Sequence, residues 1–326
     1  MGTPPLETPA RSQGGATGPV PGSRHAPRRR PRGLLRYWPQ YLAISPFYVI
    51  FAVFGLFPVL FTLYLAFHRW DGLGEMRYVG LENFRYLVDD STFWLALRNT
   101  IVIWVLSTVP MLCLALVVAA MLNSAVRFKG FYRLAYFVPN ITSLVAMAIF
   151  FGAVFSTNYG FVNAVLHWLH LPEAAWLSTP WGIKIAIATL ITWQWTGYNA
   201  IIYLAGMQAI PGDLYEAAKI DGAGPVQTFF RITLPMLRPV ILFTVIVSTV
   251  TGLQTFTEPQ VMLPDTPTTP NSGGPGQAGL TMVLYFYHQA FDNNDFGYGA
   301  SIAWAVFLVV LLFAAINWRL VQRRER

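Results

Sequence analysis

Residues 216–235 read EAAKIDGAGPVQTFFRITLP, and long apolar runs stand on both sides of them, at about 183–206 and 240–258. A polar, Gly- and Pro-bearing segment between two such runs has a local logic. Asp213, just upstream, is placed to cap a helix, with Glu216 three positions on as in a capping box. Residues 214–221 give about two turns, and Gly222 suits the left-handed residue that ends a helix. Pro225 suits a first helical position, so a second helix is expected to run from there until Pro235 interrupts it. An isolated two-turn helix is marginal in water, so it must dock. The residues alone leave open whether it docks on this chain's own helices or on a partner.

The 326 residues of the whole chain are 55% hydrophobic, 15% aromatic and only 11% charged. Soluble domains carry about 25% charged residues, so the deficit argues for an integral membrane protein. About 20 residues at 1.5 Å each cross the hydrocarbon layer. Six runs qualify, at about 41–67, 99–122, 134–156, 183–206, 240–258 and 300–320. Continuous runs of this kind must be helices, because lipid leaves no partner for unpaired backbone groups. The expected fold is therefore an all-α membrane protein with six transmembrane helices.

Charge sets the orientation. Arg11, Arg24, Arg28, Arg29, Arg30, Arg32 and Arg36 precede the first run; Arg127, Lys129 and Arg133 lie between the second and third. Lys219, Arg231 and Arg238 lie between the fourth and fifth, and Arg319, Arg323, Arg324 and Arg326 end the chain. These are 17 of the 22 basic residues, all on one side. The positive-inside rule places that side, both termini and the 211–239 loop in the cytoplasm. The formal charge of +7 is thus a matter of orientation and of contact with anionic lipid; nucleic acid is not expected.

The first 35 residues, rich in Pro, Gly, Ser and Arg, read as a disordered basic tail, followed by a membrane region over 36–322 and a short basic tail at 323–326. The first apolar run is too long for a signal-peptide core and reads as a retained anchor. Residues 68–98 are expected to form short interfacial helices, 259–279 a turn-rich outer loop, and 280–291 an amphipathic element on the outer surface. The single cysteine, Cys113, excludes an intrachain disulfide and reads as packing. His167 and His170 have the spacing of a metal pair but only Glu173 near them, and read as part of an interfacial belt. Asp292 and Asp295 read as turn or cap residues before the last run.

Polar groups at membrane depth are costly and often functional. In the fourth run Gln194 and Tyr198 are one turn apart, and Thr192, Thr196, Asn199 and Tyr203 form a second stripe. In the fifth, Ser248, Thr251, Gln254 or Thr255, and Glu258 share a face. Neutral amides, hydroxyls and aromatic rings suit a sugar, although the same residues also bond neighbouring helices together.

The loop resembles the EAA loop of ABC-importer permeases, whose pattern is E-A-A, then D-G-A, then I-x-L-P. Here these are Glu216, Ala217, Ala218, Asp221, Gly222, Ala223, Ile232, Leu234 and Pro235. The stretches WTGYNAIIYLAGMQAIPGDLYEAAKIDGAG (195–224) and YLAISPFYVIFAVFGLFPVLFTLYLAFHRW (41–70) are similar to carbohydrate-type, maltose-like permeases. The resemblance covers about 36–322. It implies a coupling helix that sits in a groove of a separate ATPase subunit, with Glu216 making a charged contact and Gly222 shaping the turn. It implies a second, homologous permease subunit, two ATPase subunits that bind ATP and Mg, and an extracytoplasmic solute-binding protein, in a bacterial plasma membrane. The chain has no G-x-x-x-x-G-K-[ST] phosphate loop of its own, and no cofactor or metal is expected in it. The family's sugar-contacting positions fall near Gln194, Trp195, Tyr198, Thr251 and Gln254, although Ile191 stands where the maltose pattern has asparagine. The expected cargo is a di- or oligosaccharide. The alternatives are a glycerol phosphodiester or other solute carried by the same machinery, or a self-contained secondary transporter. A membrane enzyme would need a convergent acid–base or metal set, which the sequence does not offer.

Overall fold

The structure, a computed structural model, describes residues 37–124, 128–263 and 273–322. The expected tails at 1–35 and 323–326, Arg36, Arg127 and residues 264–272 of the outer loop lie outside the described residues. Two units are distinguished, one ending at Gly55 and one beginning at Leu56. In the first, helix α1 (Trp38–Phe51) has no buried residue and carries Pro46. A π-helical stretch, Ala52–Leu56, leads on from it.

The second unit begins with α2 (Phe57–Ala66). Next comes a two-residue hairpin, β1 (His68–Arg69) paired antiparallel with β2 (Arg77–Tyr78), and then α3 (Glu82–Asp89). The expectation of interfacial helices in 68–98 is met only by α3. The hairpin was not foreseen, because strands of two residues leave no periodic signature. Asn83 holds it by donating from Nδ2 to the carbonyls of Ala66 and His68, both at 3.0 Å.

Helix α4 (Ser91–Asn123) starts eight residues before the apolar run does. The cause is Asp90, whose side chain accepts from the backbone N–H of Thr92 at 2.8 Å and caps the helix. The third run is not one straight helix. It is α5 (Lys129–Ile141) and α6 (Leu144–Val154), bent by 94° where Thr142 and Ser143 leave helical geometry. Helix α7 (Phe161–Trp168) and a 3₁₀ turn, Trp176–Ser178, precede α8 (Pro180–Gln208).

The loop of interest forms α9 (Gly212–Ile220), α10 (Pro225–Thr228), a π-helical stretch Phe229–Thr233 and α11 (Leu234–Met236). The expected capping box is absent: α9 starts at Gly212 with Pro211 in the cap position, and no side chain caps it. Asp213 instead sits in the first turn, where its charge favours the helix dipole. Pro235 does not stop the second helix either. The preceding π-helical register changes the bonding where proline lacks a donor, and the bend of 66° falls just beyond it, at Leu237. Helix α12 (Arg238–Gly252) ends six residues short of the expected run, and a break over 253–256 leads into α13 (Thr257–Met262). Helix α14 (Met282–Tyr287), a π-helical stretch His288–Asp292, and α15 (Phe296–Gln322) complete the chain. Asp295 caps α15 by accepting from the N–H of Tyr298 at 3.0 Å.

Among the described residues three helices are long and apolar enough to cross a membrane: Trp38–Ala66, Ser91–Asn123 and Phe296–Arg319. The two bent pairs, at α5–α6 and at Pro225–Met236 with α12, raise the number to five. Helix α8 is 29 residues long but interrupted by polar side chains, and is not among these. Large apolar side chains such as Val109, Val117, Phe307 and Leu311 point outward. Soluble monomers seldom expose so much apolar surface, and lipid is the solvent that removes the penalty.

Helices α4 and α8 run side by side and in the same direction. The Thr192 hydroxyl donates to the Ser107 carbonyl at 3.1 Å, and further along Ala115, Ala119, Ala200, Tyr203 and Leu204 share one buried cluster. Small residues let the backbones approach, the usual basis of helix association in lipid. Helix α5 crosses α8 at Gly197, where a Cβ would stand 1.7 Å from the Tyr136 carbonyl oxygen. Segment 280–287, expected on the surface, is inside. Leu280, Met282, Leu284 and Tyr285 are buried with Phe93 of α4 and Ile302 of α15.

Candidate functional site

A cavity of about 360 Å³ opens between α4, α8, α12 and α13. Eight of the nine pathway residues expected from the sequence line it: Trp195, Tyr198, Asn199, Ser248, Thr251, Gln254, Thr255 and Glu258. The ninth, Gln194, does not. It is buried on another side of α8, and its Oε1 has no hydrogen-bond partner. The second stripe divides as well: only Asn199 reaches the cavity. Thr192 bonds α4, Thr196 donates to its own helix at Thr192, and Tyr203 shares a 2.7 Å hydrogen bond with Thr244 of α12. Thr192 and Tyr203 join helices, as such groups commonly do, while Thr196 is satisfied within α8.

The wall of the cavity has a definite chemistry. Trp195 and Tyr198 meet edge to face, ring centres 5.7 Å apart, and present apolar surface. The Thr251 hydroxyl donates to the Val247 carbonyl at 3.0 Å and the Thr255 hydroxyl to the Gly252 carbonyl at 2.8 Å. With their hydrogens engaged, both oxygens offer lone pairs, so they act as acceptors. Asn199 is steadied by donating to the Trp195 carbonyl at 3.0 Å. Glu258 is 7% exposed and, among the described residues, is the only acidic or basic one in the lining. Sequence reasoning missed Thr108, Met111, Leu144, Phe256 and Thr257, which also line the cavity. Only Thr108 and Thr257, hydroxyls inside long apolar runs, carried a signal that could have found them.

Neighbouring bonds fix the cavity's position. Thr281 donates to the Thr255 carbonyl at 2.7 Å, which ties α13's approach to the segment that enters α14. That segment is anchored in turn at Asp90, whose Oδ2 accepts from the hydroxyls of Tyr285 and, at 2.5 Å, of Tyr298. Burial alone would raise the Asp90 carboxyl, but the two tyrosine bonds and the backbone N–H groups of Thr92 and Phe93 outweigh it and hold the group below the usual aspartate range. Burial and the same bond push the Tyr285 phenol upward.

The second candidate surface is the 211–239 loop. Helix α9 turns Ala218 inward and leaves Glu216, Ala217, Lys219 and Asp221 exposed. Gly222 has φ +76°, and the turn closes through the Ala223 N–H to the Ala218 carbonyl at 2.9 Å, with the Gly222 N–H on Lys219 at 3.1 Å. This is the left-handed helix stop expected of a glycine there. A hydroxyl pair, Tyr215 with Thr233 at 3.1 Å, ties α9 to the helix that follows. The exposed side carries Ile220, Val226 and Phe230, 87%, 70% and 60% exposed. Ala223 lines a groove of about 880 Å³ that also reaches Asn123 and Ser124 at the end of α4. Among the described residues no cluster of three or more metal-ligating side chains occurs, and His167 and His170 form none.

Comparison with known proteins gives a consistent picture. The family model described as the binding-protein-dependent transport system inner membrane component matches residues 93–326. The lactose transport permease LacF of Rhizobium radiobacter is 37% identical over 87% of this chain and 94% of its own. The arabinooligosaccharide transport permease AraP of Halalkalibacterium halodurans is 34% identical, over 84% of each chain. Among solved structures, a chain of a bacterial alginate ABC transporter in complex with its pentasaccharide-bound periplasmic protein superposes with a TM-score of 0.76. It is 23% identical, over 90% of this chain and 96% of that one, a likeness of fold.

Proposed function

This chain belongs to the binding-protein-dependent transport inner-membrane-component family, and from that premise we propose that it is the permease subunit of an ATP-driven importer for a di- or oligosaccharide. The observation that carries the reading is the cavity between α8 and α12. Its size falls in the usual range for small-molecule sites, about 300–1,000 Å³, and its wall combines two aromatic faces with neutral hydroxyls and amides. Sugars need that combination: flat apolar contact for their C–H faces and acceptors for their hydroxyl hydrogens. Relatives whose names specify lactose and arabinooligosaccharides support a saccharide cargo.

In this reading the chain spans the membrane six times. Helix α8 is the span that composition alone undervalues, because it faces the pathway. Both termini and the 211–239 loop are cytoplasmic. Helix α9 is the coupling helix: Glu216 pairs with a basic group of an ATPase subunit, while Ala217, Ala218, Asp221, Gly222 and Ala223 keep the helix narrow and its turn tight. A second, similar permease completes the pathway, two ATPase subunits bind ATP and Mg beneath the bacterial plasma membrane, and an extracytoplasmic binding protein delivers the solute. ATP drives transport only if the nucleotide-bound ATPase dimer prefers one permease conformation over the other. The rigid tie between α9 and α10–α11 supplies a means of passing that preference to α12, which walls the cavity.

The test is reconstitution. The subunits that co-purify with this chain are assembled in vesicles, and ATP hydrolysis and uptake are measured with neutral di- and oligosaccharides, lactose first. Saccharide-stimulated hydrolysis coupled to uptake is expected. Vesicles containing this chain alone that accumulate saccharide without nucleotide would overturn the assignment.

A further inference from the structure

Resting on the reading of this cavity as a sugar site, we infer that Glu258 makes it selective for neutral saccharides and excludes acidic ones, such as uronates. Three features point the same way. First, among the described residues Glu258 is the only acidic or basic one lining the cavity, and it is more than nine-tenths buried. A carboxylate cargo would therefore leave water for a wall on which this chain sets no cation, and losing hydration without a partner is what makes buried charge unfavourable. Whether Glu258 holds its proton or not, it offers an anion no positive charge.

Second, two hydroxyls of the wall are committed as acceptors. Thr251 and Thr255 have turned their hydroxyl hydrogens onto their own helix, so their oxygens can receive a hydrogen but not supply one. A sugar hydroxyl brings a donor to such a wall; a carboxylate brings only further lone pairs. Third, Glu258 is fixed in place. It stands in the first turn of α13, with the backbone N–H groups of Phe256 and of Glu258 itself toward its carboxyl. The preceding residues are anchored by Thr281 on the Thr255 carbonyl. Among the described residues no Lys or Arg lines the cavity: Lys184 is near the start of α8, beside the Trp181 ring, about two turns before the cavity begins at Ile191.

The experiment uses the complete importer in nanodiscs, without the binding protein, so that only the membrane pathway is read. Saturation-transfer NMR titrations compare methyl β-galactoside, its uronate, in which the C6 hydroxymethyl is a carboxylate, and the uncharged uronamide of the same shape. For the wild type, galactoside and uronamide are expected to bind, with the uronate weaker by at least about tenfold, the factor that 1.4 kcal/mol represents. Glu258→Gln is expected to narrow the uronate-to-galactoside ratio about tenfold. Thr251→Lys, which places a cation on the same wall, is expected to bring the uronate in even if Glu258→Gln fails to assemble. Equal binding of uronate and galactoside by the wild type, a ratio unmoved by an assembled Glu258→Gln, or a ratio unmoved by Thr251→Lys, overturns the inference while leaving a sugar site in place. Ser248→Trp, which fills the cavity, separates the two ideas: galactoside binding that is absent in the wild type, or that survives Ser248→Trp, overturns the sugar reading of the cavity itself.

Discussion

Replacing Asp90 with alanine removes three interactions at once, and the structure sets their size. The side chain caps α4 through the Thr92 N–H, a contribution of about 1 kcal/mol. It also accepts from the hydroxyls of Tyr285 and Tyr298. Hydrogen bonds to a charged group contribute about 1.5–3 kcal/mol each, and because Asp90 is only half-buried, the lower figure applies. Shared partners make these contributions less than additive, so Asp90→Ala should destabilise the folded chain by about 3 kcal/mol. Asp90→Asn keeps the cap and one acceptor and should lose about half as much. Equilibrium unfolding in mixed SDS micelles, followed by tryptophan fluorescence, ranks the variants. The pH dependence has a definite sign. The carboxyl is held below its ordinary value, so its contribution is complete above the unfolded aspartate pKa of about 3.9 and is lost only as pH falls through the lower folded value. Wild type and Asp90→Asn should therefore differ by a constant amount from pH 5 to 8 and converge below about pH 4. A loss under about 1 kcal/mol for Asp90→Ala, or a gap to Asp90→Asn that widens toward acid, would refute the reasoning.

Three further outcomes follow from the loop and the cavity. Glu216→Lys should lower solute-stimulated ATP hydrolysis about tenfold, as loss of 1.4 kcal/mol of docking would, with the chain still inserted and assembled; wild-type stimulation would remove Glu216 from the contact. Gly222→Val should impair coupling through backbone strain of about 1–2 kcal/mol at a left-handed residue. Gly222→Asn, which tolerates that conformation, should retain coupling, and equal loss in both would point to the missing side chain's space, although none is occupied there. Gln254→Ala should raise the saccharide concentration that half-saturates stimulation severalfold; an unchanged concentration dependence would take Gln254 out of the pathway.

Much of this was legible in the sequence because lipid imposes strict demands. Long apolar runs had to be helical, and the helical stop at Gly222 and start at Pro225 came from residues with few conformational choices. What escaped was set by tertiary contact. The stripe of Thr192, Thr196, Asn199 and Tyr203 is evenly spaced, yet only Asn199 reaches the cavity, because periodicity fixes a face of a helix and not what lies opposite. Gln194 was assigned to the pathway for the same reason. Hydropathy does not register bends, so the 94° turn after Ile141 and the break after Gly252 were read as straight helix. Segment 280–291 was placed outside because its pattern is amphipathic; its apolar face enters the core while Tyr285 delivers its polar end to Asp90.

The elbow at Leu237 gives the fold a mechanical advantage. Leu237 is almost completely buried, so it is a fixed pivot, and α12 leaves it as an unbroken rod of 15 residues. At 1.5 Å per residue the rod is about 22 Å long. A swing of about 5° at the pivot would therefore move its far tip by about 2 Å, comparable to the radius of a hydroxyl group. Angles too small to disturb the seam between α4 and α8 would be enough to decide whether a guest is gripped or let go.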